Sequence, residues 1–196
     1  MTPTLHITGD HASDELLSSD PLALLIGMLL DQQVPMETAF AGPQKILTRL
    51  GDAAHHKLGA EELANYDAGK LVDLFRISPS VHRFPGSMAG RVQGMCAAIV
   101  ADWGGEASNI WMSGSPDGAE VLARLNALPG FGEQKAKIFL ALLGKQYGFD
   151  GAGWRAAAGD YGIQGSYRSV ADIVDPGSLT KVREFKRAAK ATAKLR

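Results

Sequence analysis

The sequence predicts an all-α fold. Apolar residues recur at three-and-four spacing through most of the chain, no alternating apolar/polar run exceeds about five residues, and Pro and Gly punctuate the chain between helical patterns. The first helix opens at Pro21, behind Ser18-Ser19-Asp20, where a missing N–H costs nothing. Leu22, Leu25, Ile26, Leu29 and Leu30 then leave it apolar nearly all round, so it is expected at the centre. Amphipathic spacing next predicts helices at Glu37 to Leu50, Ala60 to Ala64, Gly69 to Phe75 and Ser87 to Trp103. Further helices are expected at Gly118 to Leu125, Glu133 to Leu143, Trp154 to Ala158 and Thr180 to Leu195. Breakers separate them at Pro79, Pro85, Gly104-Gly105, Pro116, Pro129-Gly130, Gly151 and Pro176-Gly177, and segments 104–117 and 159–178 read as the long loops.

Composition narrows the function. The chain has 196 residues, with 20 Lys plus Arg against 21 Asp plus Glu and a net charge of −1. The charge is unevenly distributed: up to Phe75 there are 4 basic and 11 acidic residues, and from Arg76 onward 16 basic and 10 acidic. A lone cysteine, Cys96, excludes an internal disulfide and any four-cysteine zinc or iron–sulfur site built by one chain. His55-His56 have no partner four residues away and the chain has no His-Glu-x-x-His motif, which argues against a metal site. Residues Met1 to Asp10 lack the basic flank and apolar run of a signal peptide, and Leu22 to Leu30 is about half a membrane span. A cytoplasmic protein is the expectation.

The sharpest local feature is Leu128-Pro129-Gly130-Phe131-Gly132-Glu133-Gln134-Lys135-Ala136. Pro129 ends one helical pattern, Gly130 and Gly132 permit positive φ and leave the backbone uncovered, and the next helix starts with free N–H groups aimed into the loop. Such a start attracts phosphate, each contribution being about 0.3–1 kcal/mol when exposed. Lys135 and Lys137 add charge nearby; without a ligand the same residues make a helix–helix turn.

This loop and the helix after it resemble the hairpin of the helix-hairpin-helix DNA glycosylases. The likeness extends to Asp20-Pro21-Leu22 through Asp31-Gln32-Gln33-Val34, similar to the family's early helix and the turn at its base-intercalation point, and to Pro85 through Ile99 with Arg91. It covers roughly Pro21 to Arg155. It implies two lobes, one of about residues 21–145 and one combining 1–20 with 146–196, with a cleft between them for an extruded nucleotide. It further implies double-stranded DNA as partner, a monomer, and no cofactor. A monovalent cation at the hairpin is compatible with it, and the lone cysteine points to a branch without the iron–sulfur cluster.

Family members cleave the bond from base to deoxyribose, where a carboxylate stabilises the positive charge developing on the sugar. The residue nearest the family's spacing is Asp150, eighteen after Gly132, and Gly153-Trp154-Arg155-Ala156-Ala157 resembles the helix that follows the family's Asp. Asp160 and Asp172 would each need an insertion; a turn Asp capping the next helix is the alternative for Asp150. Members that also cut the strand carry a lysine where this chain has Gln134. Lys135 is rotated by about 100° from that position and is expected to face phosphate or solvent, so any activity is expected to be monofunctional.

Gln32 and Gln33 either fill the gap left by the extruded nucleotide, Gln33 more than Gln32, or satisfy the last carbonyls of their helix. Asp31, so near DNA, either faces away or contacts the flipped base. Tyr147 and Trp154, flanking Asp150, are candidates for a stacking wall, with the core as the other destination. His82-Arg83 belong to a loop near the cleft or to plain surface. The tail from Lys181 to Arg196 has seven basic residues and one acidic one; as a helix it would turn Val182, Phe185, Ala189 and Ala193 inward and offer its cations to the DNA backbone, a salt-sensitive contact. Two other functions fit the same residues: a hairpin module that binds DNA without chemistry, and a nucleotide- or base-modifying enzyme on the same scaffold.

Overall fold

The computed structural model describes residues 3–51 and 57–193, so His55, His56, Lys194 and Arg196 lie outside the described residues. It is all-helical, with no strand among those residues. No helix there is long and apolar enough to cross a membrane.

The chain opens with a helix that the apolar pattern does not reveal, α1 (His11–Ser19). Its polar residues tether the segment before it. Asp14 accepts from the N–H groups of Ile7 and Thr8 at 3.1 and 2.8 Å, and the Ser18 hydroxyl accepts from Leu5 N–H at 2.9 Å. Leu5 and Ile7 are thereby held in the core. Next, α2 (Pro21–Leu30) is buried from Leu22 to Leu30. Asp20 caps it through Leu22 and Ala23 N–H, and its other oxygen accepts from Leu58 N–H at 2.9 Å. Burial raises the Asp20 carboxyl above its ordinary value, against these bonds.

The single helix expected over Glu37 to Leu50 is instead two, α3 (Met36–Phe40) and α4 (Gly42–Leu50). Pro43 has no N–H to continue the ladder and its ring excludes the carbonyl four residues earlier. Then follow α5 (Ala60–Asn65), α6 (Ala68–Arg76) and α7 (Pro85–Trp103), with α5 and α6 packed on α7. A short α8 (Asn109–Met112) interrupts the first expected long loop. It leads to α9 (Gly118–Asn126), α10 (Glu133–Gln146) and α11 (Trp154–Ala157). Two 3-10 turns, Gly159–Gly162 and Val170–Asp172, occupy the second long loop. α10 is the axis of this part, touching α9, α11 and both 3-10 turns, while α2 contacts α7 and α10 alike.

The last helix, α12 (Pro176–Ala193), starts four residues before the apolar pattern does, because Pro176 takes its first position and Asp175 accepts from Ser178 N–H at 2.6 Å. Its buried residues end at Val182; Phe185, Ala189 and Ala193 are exposed, contrary to the inward stripe the spacing suggests. Beyond Val182 the helix is held by charge, Arg183 pairing with Glu37 and Lys186 Nζ lying 3.5 Å from Asp31.

Cys96 is fully buried in α7, and burial with Asp20 nearby pushes its thiol up to about 12. A thiol-disulfide reagent at pH 8 is expected to leave the native protein unlabelled and to label one thiol in denaturant; rapid labelling of the native state would contradict this burial.

Candidate nucleic-acid interface

The hairpin runs from α9 through Leu128 to Gly132 into α10. Gly130 has φ of +84°, as expected, and a Cβ there would stand 2.3 Å from Leu29 Cδ1, so the loop backbone rests directly on the end of α2. Gly132 differs from expectation. Its φ is −85°, an ordinary conformation, and its contribution is the missing side chain: it caps α10 with no side-chain hydrogen bond, leaving the first N–H groups of that helix open. Phe131 is buried edge-on against Phe139 at 5.9 Å, which anchors the loop to the core and leaves only its backbone for a ligand.

The two hairpin lysines do not add free charge as expected. Lys137 Nζ lies 2.6 Å from Glu133, one turn earlier, so the pair is close to neutral. Lys135 faces neither phosphate nor solvent. It is half-buried, and its ammonium donates to the carbonyls of Met28 and Leu29 at 2.8 and 2.6 Å, serving the C-terminal end of α2, which has no basic residue of its own. Burial lowers it to about 8, with Asp31 opposing the shift and Arg91 adding to it. The burial was not legible in the sequence, because it depends on where α2 ends relative to α10.

The turn after α2 treats its two glutamines differently. Gln32 is tied down: its amide nitrogen donates to Leu29 O, its amide oxygen accepts from Arg91 and its carbonyl from His82 Nε2, each at 2.9 Å. The buried His82 accepts Phe84 N–H at its other nitrogen, which fixes the Nε2–H tautomer and gives this loop residue a role the sequence left open. Gln33 is exposed and has φ of +57°, one of two non-glycine residues with positive φ among the described residues. A side chain held out on a backbone of that kind is the sort of local strain found at ligand-contacting positions. Asp31 faces Lys186 of α12.

The three candidate carboxylates fall in three different places. Asp150 is exposed beyond the C-terminal end of α10, in a segment folded back by the bond from Phe149 N–H to Leu143 O. The hairpin lies at the other end of this 14-residue helix, a length of about 20 Å at 1.5 Å per residue, so Asp150 and the hairpin are not brought together. Asp172 is buried, 2.6 Å from Lys145 Nζ, and accepts from Ser166, Arg168 and Ser169; all its capacity goes to structure. Asp160 stands beside the first turn of α10. Its neighbour Tyr161 accepts a 2.9 Å hydrogen bond from Gln134, and Arg168 lies 3.3 Å from its carboxylate. Gln134, Ile138, Asp160, Tyr161, Arg168 and Phe185 line a hollow of about 340 Å³. The insertion that brings Asp160 there is α11 itself, which lies between α10 and the 3-10 turn.

Neither aromatic flanking Asp150 forms a wall. Trp154 is buried on α10, where a Cβ at Gly144 would stand 2.4 Å from its ring, and Arg155 covers its face at 4.4 Å. Tyr147 is half-buried, edge-on to Trp111 at 6.2 Å, and donates to Leu17 O at 3.3 Å; burial raises its hydroxyl above the ordinary tyrosine value. Both are committed to packing. A scan against protein-family models finds no match, and a search of curated proteins finds no significant one.

Proposed function

We propose that the protein is a monofunctional DNA N-glycosylase of base-excision repair, of the helix-hairpin-helix type, with two lobes. The observation that carries the reading is a convergence: the uncapped start of α10, the exposed Gln33 and the hollow beside Asp160 all gather around the hairpin end of α10. Open helix N–H groups suit a DNA phosphate, an exposed amide suits the gap left by an extruded nucleotide, and a hollow of about 340 Å³ suits a small planar ligand. The carboxylate role falls to Asp160 rather than Asp150, since Asp160 shares the hollow with Gln134 and Asp150 stands a helix length away. Asp160 would stabilise the sugar cation and orient the attacking water.

Lys135 supports the monofunctional reading: its amine is a charged donor to two carbonyls, not a free nucleophile. The partner is double-stranded DNA, bound by a monomer without a cofactor. Incubation with duplexes carrying single damaged or mismatched bases is expected to release a free base from at least one of them, with no covalent adduct trapped by borohydride. A trapped adduct would refute monofunctional chemistry. Binding without release from any duplex would favour the second reading, a hairpin DNA-binding module without chemistry, to which the pairing of Asp160 with Arg168 lends weight.

A further inference from the structure

We propose that Lys135 is a positioning residue that couples the hairpin to the exposed Gln33 side chain, so that seating a phosphate at the hairpin fixes where that side chain enters the duplex. The inference rests on the reading of the hairpin as a DNA contact. It begins with two contacts between α10's hairpin and α2: Gly130 against Leu29, and the Lys135 ammonium on the Met28 and Leu29 carbonyls. Leu29 O is also the acceptor for the Gln32 amide, so one carbonyl receives both the lysine and the turn. Gln32 is held from the far side by Arg91 and His82, and the residue after it is Gln33, in its left-handed conformation.

The turn is therefore suspended between α7 and α10 with Gln33 at its tip. Without the ammonium, the end of α2 keeps its carbonyls but loses the cation that binds them to the hairpin helix. The groups that face Lys135 or its turn are Asp31, Arg91 of α7, His82 of the preceding loop and, through Asp31, Lys186 of α12; Glu133 and Lys137 on its own helix pair with each other. An arginine in its place would keep the charge at every working pH.

The test compares the wild type with Lys135→Met and Lys135→Arg, first without DNA. In the free wild-type protein the backbone amide resonances of Gln32 and Gln33 are expected to titrate with a midpoint near 8, matching the lowered value of the lysine. Both variants should lose that titration. Lys135→Met, which removes both ammonium hydrogen bonds, should weaken binding to an undamaged duplex by about tenfold or more, and Lys135→Arg should restore most of it. Unchanged Gln32 and Gln33 resonances in Lys135→Met, or a titration that persists in Lys135→Arg, would overturn the coupling. If Lys135→Met does not fold, the wild type and Lys135→Arg decide by the titration alone. A wild type that shows the titration but binds no duplex would leave the coupling standing and refute the DNA reading.

Discussion

Asp160→Asn is expected to slow base release by about 10²–10⁴-fold, the range for loss of a positioned acid–base group, while leaving duplex affinity near that of the wild type. The amide keeps the shape of the carboxylate but can neither balance the sugar's positive charge nor accept a proton from water. Folding should be little affected, because the Asp160 side chain is largely exposed and its contact with Arg168 is a surface pair. Asp150→Asn serves as the counterpart and should change neither release nor binding. The two variants differ by ten positions on one loop system, so the comparison isolates place from chemistry. If Asp150→Asn abolishes release and Asp160→Asn does not, the chain must rearrange by about the length of α10 on binding, and the catalytic role of Asp160 fails.

Trp154→Ala is the second large effect, and it is a stability effect. The indole fills the space that Gly144 leaves on α10, and its backbone touches Gly118 at the start of α9: a Cβ on that glycine would stand 2.2 Å from Trp154 Cα. Truncation opens a cavity at the junction of α9, α10 and α11, costing about 3–5 kcal/mol. For a chain of this size that lowers the midpoint of thermal unfolding on the order of 10 °C. Duplex binding measured in the cold, where the variant remains folded, should be retained. A variant that melts like the wild type but no longer releases base would return Trp154 to the role of a stacking wall.

Much of the fold could be read in advance wherever one face or the whole girth of a helix is apolar. The run from Leu22 to Leu30 marks α2, the pattern from Ser87 to Trp103 marks α7, and Pro129 with Gly130 marks the turn between α9 and α10. The pattern fails where helix formation is driven by other forces. α1 is stabilised by Asp10, which accepts from Ser13 N–H, and by side chains that hold the incoming segment; its Asp14 and Ser18 look like surface residues until that segment is in place. The split at Pro43 follows from the ring of one residue, which an average over a helical window conceals.

For the site, spacing put Asp150 ahead of Asp160, whereas the structure sets Asp160, not Asp150, beside the hairpin end of α10. Asp150 fits a count of about twenty residues after the hairpin, but counting assumes a direct return of the chain. Here Phe149 doubles back on Leu143, and α11 postpones the return until Asp160. The rotation argument separating Gln134 from Lys135 holds in the structure, with Gln134 facing Tyr161 and Lys135 facing α2. What it could not supply was the other partner, because nothing near Lys135 in sequence announces the end of a helix more than a hundred residues earlier.

The docking of α12 beyond Val182 largely through charged side chains, with Arg168 over the Phe185 ring as well as the two ion pairs, bears on how the protein responds to its surroundings. Arg183 and Lys186 are occupied by Glu37 and Asp31 before any polyanion arrives, so a phosphate must compete with carboxylates for them. Each such exchange trades one pair for another and adds little net attraction. The cations counted in the tail therefore overstate the charge it can offer. Dissolved salt is expected to act on both sides of such an exchange, loosening the helix from its own protein at the same ionic strengths that would screen a polyanion from it.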